Sequence, residues 1–146
     1  MIHLEPITQD NYRECMRLEV APSQVRFVAP VAKALGEAYV YYQTSRPFAI
    51  YCDEQMVGFL LLRELREMDC YYLSQFMIAA DQQQKGYGRQ AMRVLVDLLK
   101  EEKKYPKVDL CYVEEAEGAR RLYEGLGFKP IDKDANEIIM ELLIED

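Results

Sequence analysis

The sequence contains no tryptophan and a single histidine, His3. Its four cysteines, Cys15, Cys52, Cys70 and Cys111, are widely spaced and form no CxxC pair. A structural zinc site needs four close ligands, so no metal is expected. No run reaches the ~18 apolar residues of a membrane span, so no membrane partner is expected. The opening Met-Ile-His-Leu-Glu-Pro lacks the basic start and apolar stretch of a secretion signal. Free thiols in a reducing cytoplasm are the expectation. Each cysteine lies in or beside an apolar pattern, and buried filler is the expected role of most of them. Basic charge is also scarce. Lys and Arg number 18 against 25 Asp and Glu, a formal −7. Nucleic-acid binders usually carry a strong basic face, so no nucleic-acid partner is expected. Repeats, low-complexity tracts and obvious linkers are absent as well.

What remains is ordinary globular material. Hydrophobic residues make up 50% and charged residues 29% of 146 positions. One domain over residues 1–146, with its own core, accounts for a chain of this length.

Alternation of Ile2 and Leu4 with polar neighbours predicts a strand over 1–6. Thr8 caps an expected helix over 9–19. Residues 21–45 carry a broad apolar face interrupted by Pro30 and Gly36, which predicts a kinked helical segment. Phe48–Cys52 and Met56–Leu62 flank Asp53-Glu-Gln55 and predict a hairpin. The charged stretch 63–69 is expected as a solvated link. Tyr71–Ile78 is apolar on both sides, which suits a central strand. Ala91, Met92, Leu95, Val96, Leu98 and Leu99 then make one stripe of a helix over 89–104, ended by Pro106. A strand over 108–113, a helix over 116–125 stopped by Gly127, a strand from Phe128, a polar turn over 132–136 and a strand over 137–144 complete the chain. The order from 71 to 113 is strand, helix, strand, so those strands are expected to be parallel. With a hairpin before them, the fold class is α/β (α+β) with a mixed central sheet.

Between the central strand and the long helix lies Asp81-Gln-Gln-Gln-Lys-Gly-Tyr-Gly-Arg89. Two glycines let the backbone turn sharply. The N–H groups of the turn and of the first helical turn have no partner of their own and suit an anion such as pyrophosphate. Lys85 and Arg89 add positive charge. A strand-to-helix turn that needs glycine for geometry alone is the competing explanation. The P-loop string GxxxxGK followed by Ser or Thr is absent, and GxGxxG is not completed, because Ala91 follows Gly88 by three. The dinucleotide motif also normally sits near the first strand of its fold.

With its surroundings, this loop resembles a known pattern. Phe76-Met-Ile-x-x-x-x-Gln83-Gln-Lys-Gly86-Tyr-Gly88 is similar to the acyl-CoA-binding motif of the GNAT superfamily of N-acetyltransferases. Ala119-Arg-Arg-Leu-Tyr123-Glu-Gly-Leu-Gly-Phe128 resembles that superfamily's second block, A-x-x-L-Y-E-x-x-G-F. Phe27-Val-Ala-Pro30, Arg46-Pro-Phe-Ala-Ile-Tyr51 and Met56-Val-Gly-Phe59 resemble a bacterial branch that includes diamine and spermine/spermidine acetyltransferases. The resemblance implies a GNAT-like fold with a βαβ acyl-CoA-binding core and acetyl-CoA as the cofactor. It implies an amine substrate, with a polyamine or diamine as the best reading. It further implies that the backbone of Phe76, Met77 and Ile78 bonds the pantetheine arm. Gln83, Gln84, Lys85, Gly86, Tyr87, Gly88 and Arg89 would surround the pyrophosphate, and Tyr123 would lie by the thiol. Ala116 replaces an asparagine that the family commonly carries there. Relatives are often dimers, which makes a homodimer an expectation.

The implied reaction is direct attack of an amine on a thioester in a ternary complex. An alkyl amine with a pKa of about 10.4 must lose a proton first. The developing oxyanion would meet a backbone N–H of the central strand. Tyr123 is the candidate acid for the departing thiolate. The base is less defined. Where part of the family has glutamate, this chain has Tyr72, and Asp69 and Glu114 are alternatives. Glu19, Glu37 and Glu114 are candidates for holding a cationic substrate. Phe27, Tyr39 and Tyr41 are candidates for packing against its chain. Two rival functions are an acetyltransferase for another amine, such as an aminoglycoside, an amino acid or a peptide N-terminus, and a non-catalytic acyl-CoA sensor.

Overall fold

A computed structural model describes residues 1–145. Its strands are β1 (Ile2–Pro6), β2 (Ser45–Cys52), β3 (Gln55–Leu65), β4 (Cys70–Ile78), β5 (Lys107–Val113), β6 (Lys129–Asp134) and β7 (Glu137–Leu143). Its helices are α1 (Tyr12–Met16), α2 (Val31–Val40), α3 (Tyr87–Glu102) and α4 (Glu117–Gly125). The seven strands form one sheet in the order β1-β2-β3-β4-β5-β7-β6. All neighbours are antiparallel except β4 and β5, which are parallel. The expected mixed sheet with a parallel centre is therefore what forms.

The sheet buries both faces unequally. On one face α3 lays Ala91, Met92, Leu95, Val96 and Leu99 against Val57, Leu60, Leu62, Tyr71, Val108 and Leu110. That stripe is the one the 3.6-residue period defines. On the other face α1 and α2 set Cys15, Val31, Ala34 and Ala38 against Ala49, Phe59, Leu61 and Met77. β3 contributes to both clusters, which explains its nearly unbroken apolar run. Gly58 within it is required by space, because a Cβ there would run into the Met77 carbonyl of β4.

Several expected boundaries shift for identifiable reasons. Helix α1 covers only Tyr12–Met16, because a turn closed on the Thr8 carbonyl occupies the residues before it. In the 21–45 stretch, Pro30 precedes the first residue of α2 rather than kinking a longer helix, where its missing N–H is no loss. α3 starts at Tyr87, earlier than periodicity indicates, and ends at a left-handed Lys103 before Pro106 is reached. The link expected at 63–69 is a correction of substance. β3 continues to Leu65, and Glu64 is buried. Its carboxylate meets Lys104 Nζ at 2.7 Å, Arg46 Nη1 at 3.6 Å and the Tyr105 hydroxyl at 3.2 Å. Those partners make burial of a charge tolerable. The turn expected at 132–136 shrinks to Ala135 and Asn136. Of the four free cysteines, Cys15 and Cys70 are buried, and Cys52 and Cys111 are half-buried.

Candidate active site

β4 is accompanied on both edges for only part of its length. β3 pairs with it as far as Ile78. β5 pairs only at Tyr71, Tyr72 and Leu73, opposite Val108, Asp109 and Leu110. Beyond Leu73 the parallel strands part. Ser74 is the extra residue of a bulge, since Leu61 pairs with Gln75 and Leu62 with Leu73. A bulge bends and twists the strand that carries it, which turns β4 away from β5. Ser74–Ile78 thus keep an edge without a strand partner, and its backbone donors and acceptors need one. The split opens a cleft of about 790 Å³, lined by Ser74–Ile78, Cys111–Val113, the loop before α3, and the first turns of α3 and α4. This size suits a small-molecule or cofactor site.

One end of the cleft is built for an anion. Gln84 (φ 64°) and Gly86 (φ 82°) are both left-handed and curl the loop ahead of α3. A Cβ on Gly86 would meet only Gln90 Nε2 at 3.6 Å, so the positive φ, not crowding, calls for glycine. The free N–H groups of the first turn of α3 and its dipole face the same region. At Gly88 a Cβ would make ordinary contacts at 3.8 Å with Ile78, Leu122 and Phe76. Its absence leaves the helix backbone open to the cleft. These features fit a pyrophosphate followed by a polar arm along the β4 edge.

The other end lies where the strands part. Tyr123 of α4 is buried there, edge-on to Phe128 and tilted against Tyr112. Burial, and then Cys111, push its hydroxyl above the ordinary tyrosine range. It therefore stays protonated and can donate. Among the described residues it has no hydrogen-bond partner. Tyr72 does not line the cleft. Its hydroxyl lies 2.9 Å from Cys111 Sγ. Burial first, then Cys111, Glu137 and Glu37, push it up as well. A base must start deprotonated, and this hydroxyl does not.

The cleft brings together Phe27, Phe76, Met77, Ile78, Gln83, Gln84, Gly86, Tyr87, Gly88, Arg89 and Tyr123. Lys85 lies outside its lining, with Nζ on Gln82 Oε1 at 3.1 Å. The Gln83 amide is committed to protein. Nε2 donates to Gln24 Oε1 at 2.7 Å and to the Ile78 carbonyl at 2.9 Å, and Gln24 Nε2 donates back at 3.2 Å. Glu37 and Tyr41 meet at Arg63 instead of in the cleft. Arg63 Nη1 is 3.3 Å from Glu37 Oε2, and the guanidinium sits 4.2 Å from the Tyr41 ring centroid. Tyr39 is 81% exposed and away from the lining. Glu114 pairs on the surface with Lys133 at 3.1 Å. Asp69 sits in the turn before β4, at the paired end of the strand. Ala116 lines the cleft and precedes α4 with no side-chain cap. The residues that sequence reasoning passed over are Ser74, Cys111, Arg63 and Gln24. A bulge and contacts made across the sheet leave no local signal.

Residues 9–128 match the Acetyltransferase (GNAT) family. The chain belongs to that family. It is an acetyl-CoA-dependent N-acetyltransferase acting on an amine. This family member is 27% identical to the spermine/spermidine N(1)-acetyltransferase of Bacillus subtilis strain 168, with 88% of each chain covered. Its fold is similar to spermidine N-acetyltransferase from Vibrio cholerae, solved in complex with CoA and spermine (TM-score 0.77, 18% identity, 97% of this chain and 95% of that one). It is also similar to the ribosomal-protein-S18-alanine N-acetyltransferase of Escherichia coli (TM-score 0.74, 20% identity, 100% and 96% covered).

Proposed function

We propose that this acetyltransferase modifies a primary amine of a polyamine or diamine of the spermidine/spermine type. The observation that carries the reading is the chemistry at the strand split. There the cleft lining combines Glu115 and Glu117 with the aromatic residues Phe27, Phe76 and Tyr112. Carboxylates beside an aromatic surface suit an alkyl chain bearing ammonium groups. The Bacillus relatives, named for spermine and spermidine, support the same substrate class.

Bound acetyl-CoA supplies an activated acetyl thioester. The open edge of Phe76, Met77 and Ile78 holds its arm, and Gln84, Gly86, Tyr87, Gly88 and Arg89 surround its pyrophosphate. Gln83 works from behind, tying the end of β4 to the Pro22–Gln24 turn that forms another wall. A backbone N–H of the open β4 edge meets the oxygen charge that develops during attack. Tyr123 donates its proton to the departing sulfur, whose ordinary pKa is near a thiol's ~8.5. No covalent enzyme intermediate is needed, because the cleft admits both substrates together. We extend the proposal to a cytoplasmic homodimer. Four free thiols fit a reducing compartment, and Tyr39, Val40 and Tyr42 expose apolar surface beside one another.

The test is thiol release from acetyl-CoA with spermidine, spermine, putrescine, an aminoglycoside and N-terminal peptides. Preferred turnover of spermidine or spermine is expected. Preference for a peptide or aminoglycoside replaces the substrate class, and CoA binding without release from any amine supports a sensor.

A further inference from the structure

We propose that Ser74 and Glu37 form the proton path of this reaction, an inference that rests on the amine-acetylation reading above. Ser74 is the bulged residue at the point where β4 leaves β5, and it lines the cleft. From Ile78, beside the phosphate-binding turn, to Ser74 is four residues of strand, about 13 Å at ~3.3 Å each. An arm extended along that edge brings its reactive end to Ser74, on the side where Tyr123 and Cys111 also lie.

The Ser74 hydroxyl donates to Glu37 Oε2 at 2.9 Å. Its proton is thereby directed away from the cleft, and its lone pairs are left to accept from a group in the cleft. Glu37 is held from behind. Arg63 Nη1 reaches the same carboxylate oxygen at 3.3 Å, and Arg63 Nη2 is anchored on Thr44 Oγ1 at 3.3 Å. The Tyr41 ring packs on that guanidinium. Tyr72 of β4 also lies near Glu37. The other carboxylates near the cleft are less suited. Glu117 pairs with Arg120 on α4, and Glu115 lies beyond the end of β5.

The transfer balances. As the amine nitrogen forms its C–N bond, its N–H proton passes to Ser74 Oγ. The Ser74 proton passes to Glu37 Oε2 in the same motion. Ser74 ends unchanged and Glu37 ends neutral beside Arg63; water then takes the proton from Glu37 and a proton from solvent restores Tyr123, which gave its own to the sulfur. Ser74 is the catalytic residue of the pair, and Glu37 acts through it.

Steady-state kinetics of Glu37→Gln, Glu37→Asp, Ser74→Ala and the Glu37→Gln/Ser74→Ala double variant test the path. Each of Glu37→Gln and Ser74→Ala is expected to lower kcat about 100-fold, within the span of general-base effects. The amine KM and CoA affinity should stay within about threefold. The double variant should be no slower than the slower single one. Glu37→Asp should recover most of the rate. A raised KM with kcat retained would make Glu37 an ammonium anchor and overturn the path. Additive losses, or no recovery in Glu37→Asp, would overturn it as well. Ser74→Ala decides alone if Glu37→Gln does not fold. If the wild-type protein acetylates no amine, the proposed function fails instead, and the kinetics separate the two failures.

Discussion

The two halves of β4 share a strand and little else. Tyr71–Leu73 is paired on both edges and backed by a charge network centred on the buried Glu64. Glu64 stands opposite Tyr71 on β3, and the Tyr71 hydroxyl donates to Glu102 at 2.6 Å, where Arg46 also binds at 3.0 Å. Ser74–Ile78 has one free edge and is backed by a carboxylate that reaches the cleft through a serine. Both halves hold an Arg–carboxylate pair. In the first, every partner is protein and the central carboxylate, Glu64, is buried. In the second, the serine turns its lone pairs to open space. The chemistry of the groups is the same, and access decides which pair supports the fold and which the reaction.

The sharpest break between the halves should come at the acid. Tyr123→Phe is expected to lower kcat by about 100–1000-fold, with CoA affinity measured by calorimetry unchanged. Equal turnover across the pH range would remove Tyr123 from the reaction. The opposite pattern is expected at Glu64. Glu64→Gln strips a buried acceptor from Lys104, Arg46 and Tyr105. It should cost about 2–3 kcal/mol of stability, or roughly 4–12 °C in Tm, with kcat within about twofold. A large fall in kcat at unchanged Tm would erase the distinction.

How much of this contrast the sequence carries depends on the kind of signal. α3, β4 and the glycines at 86 and 88 declare themselves through period and backbone need, and they locate the anion end of the cleft. Ala116 and Tyr123 stand out by position in a recognisable block. Glu64 reads as solvent-facing because its compensation comes from Lys104 and Tyr105, about forty residues away. Ser74 reads as an ordinary strand residue, since a bulge is set by the register of two strands. Glu37 stands out in the sequence by its charge, but its pairing with Arg63 depends on how α2 lies on β3.

A third contrast concerns pH. Asp109 stands opposite Tyr72 in the paired half and Glu141 on β7. It is buried, and burial followed by Glu141 pushes it up to about 6, against a pull down from Lys107. The folded protein therefore keeps this proton over a range where the unfolded chain has released it. Stability should fall as pH rises from about 4 through 6, by about 1–2 kcal/mol. Asp109→Asn should flatten that slope in Tm measured against pH. A slope that persists would assign it to another group.

The smallest effect belongs to the open half. Ala116→Asn supplies both a cap for α4 and a polar group facing the cleft. A gain of about 1 kcal/mol in stability is expected, with CoA bound a few-fold more tightly. Weaker CoA binding would show that the alanine is needed there for space.

Hydrogen exchange with and without CoA tests the division of β4 most directly. CoA should slow exchange at the edge-facing amides of Ser74–Ile78 and in the loop from Gln84 into the first turn of α3, and should leave Cys70–Leu73 unchanged. Protection confined to other parts of the chain, with the open edge unaltered, would contradict the placement of the cofactor and the account built on it.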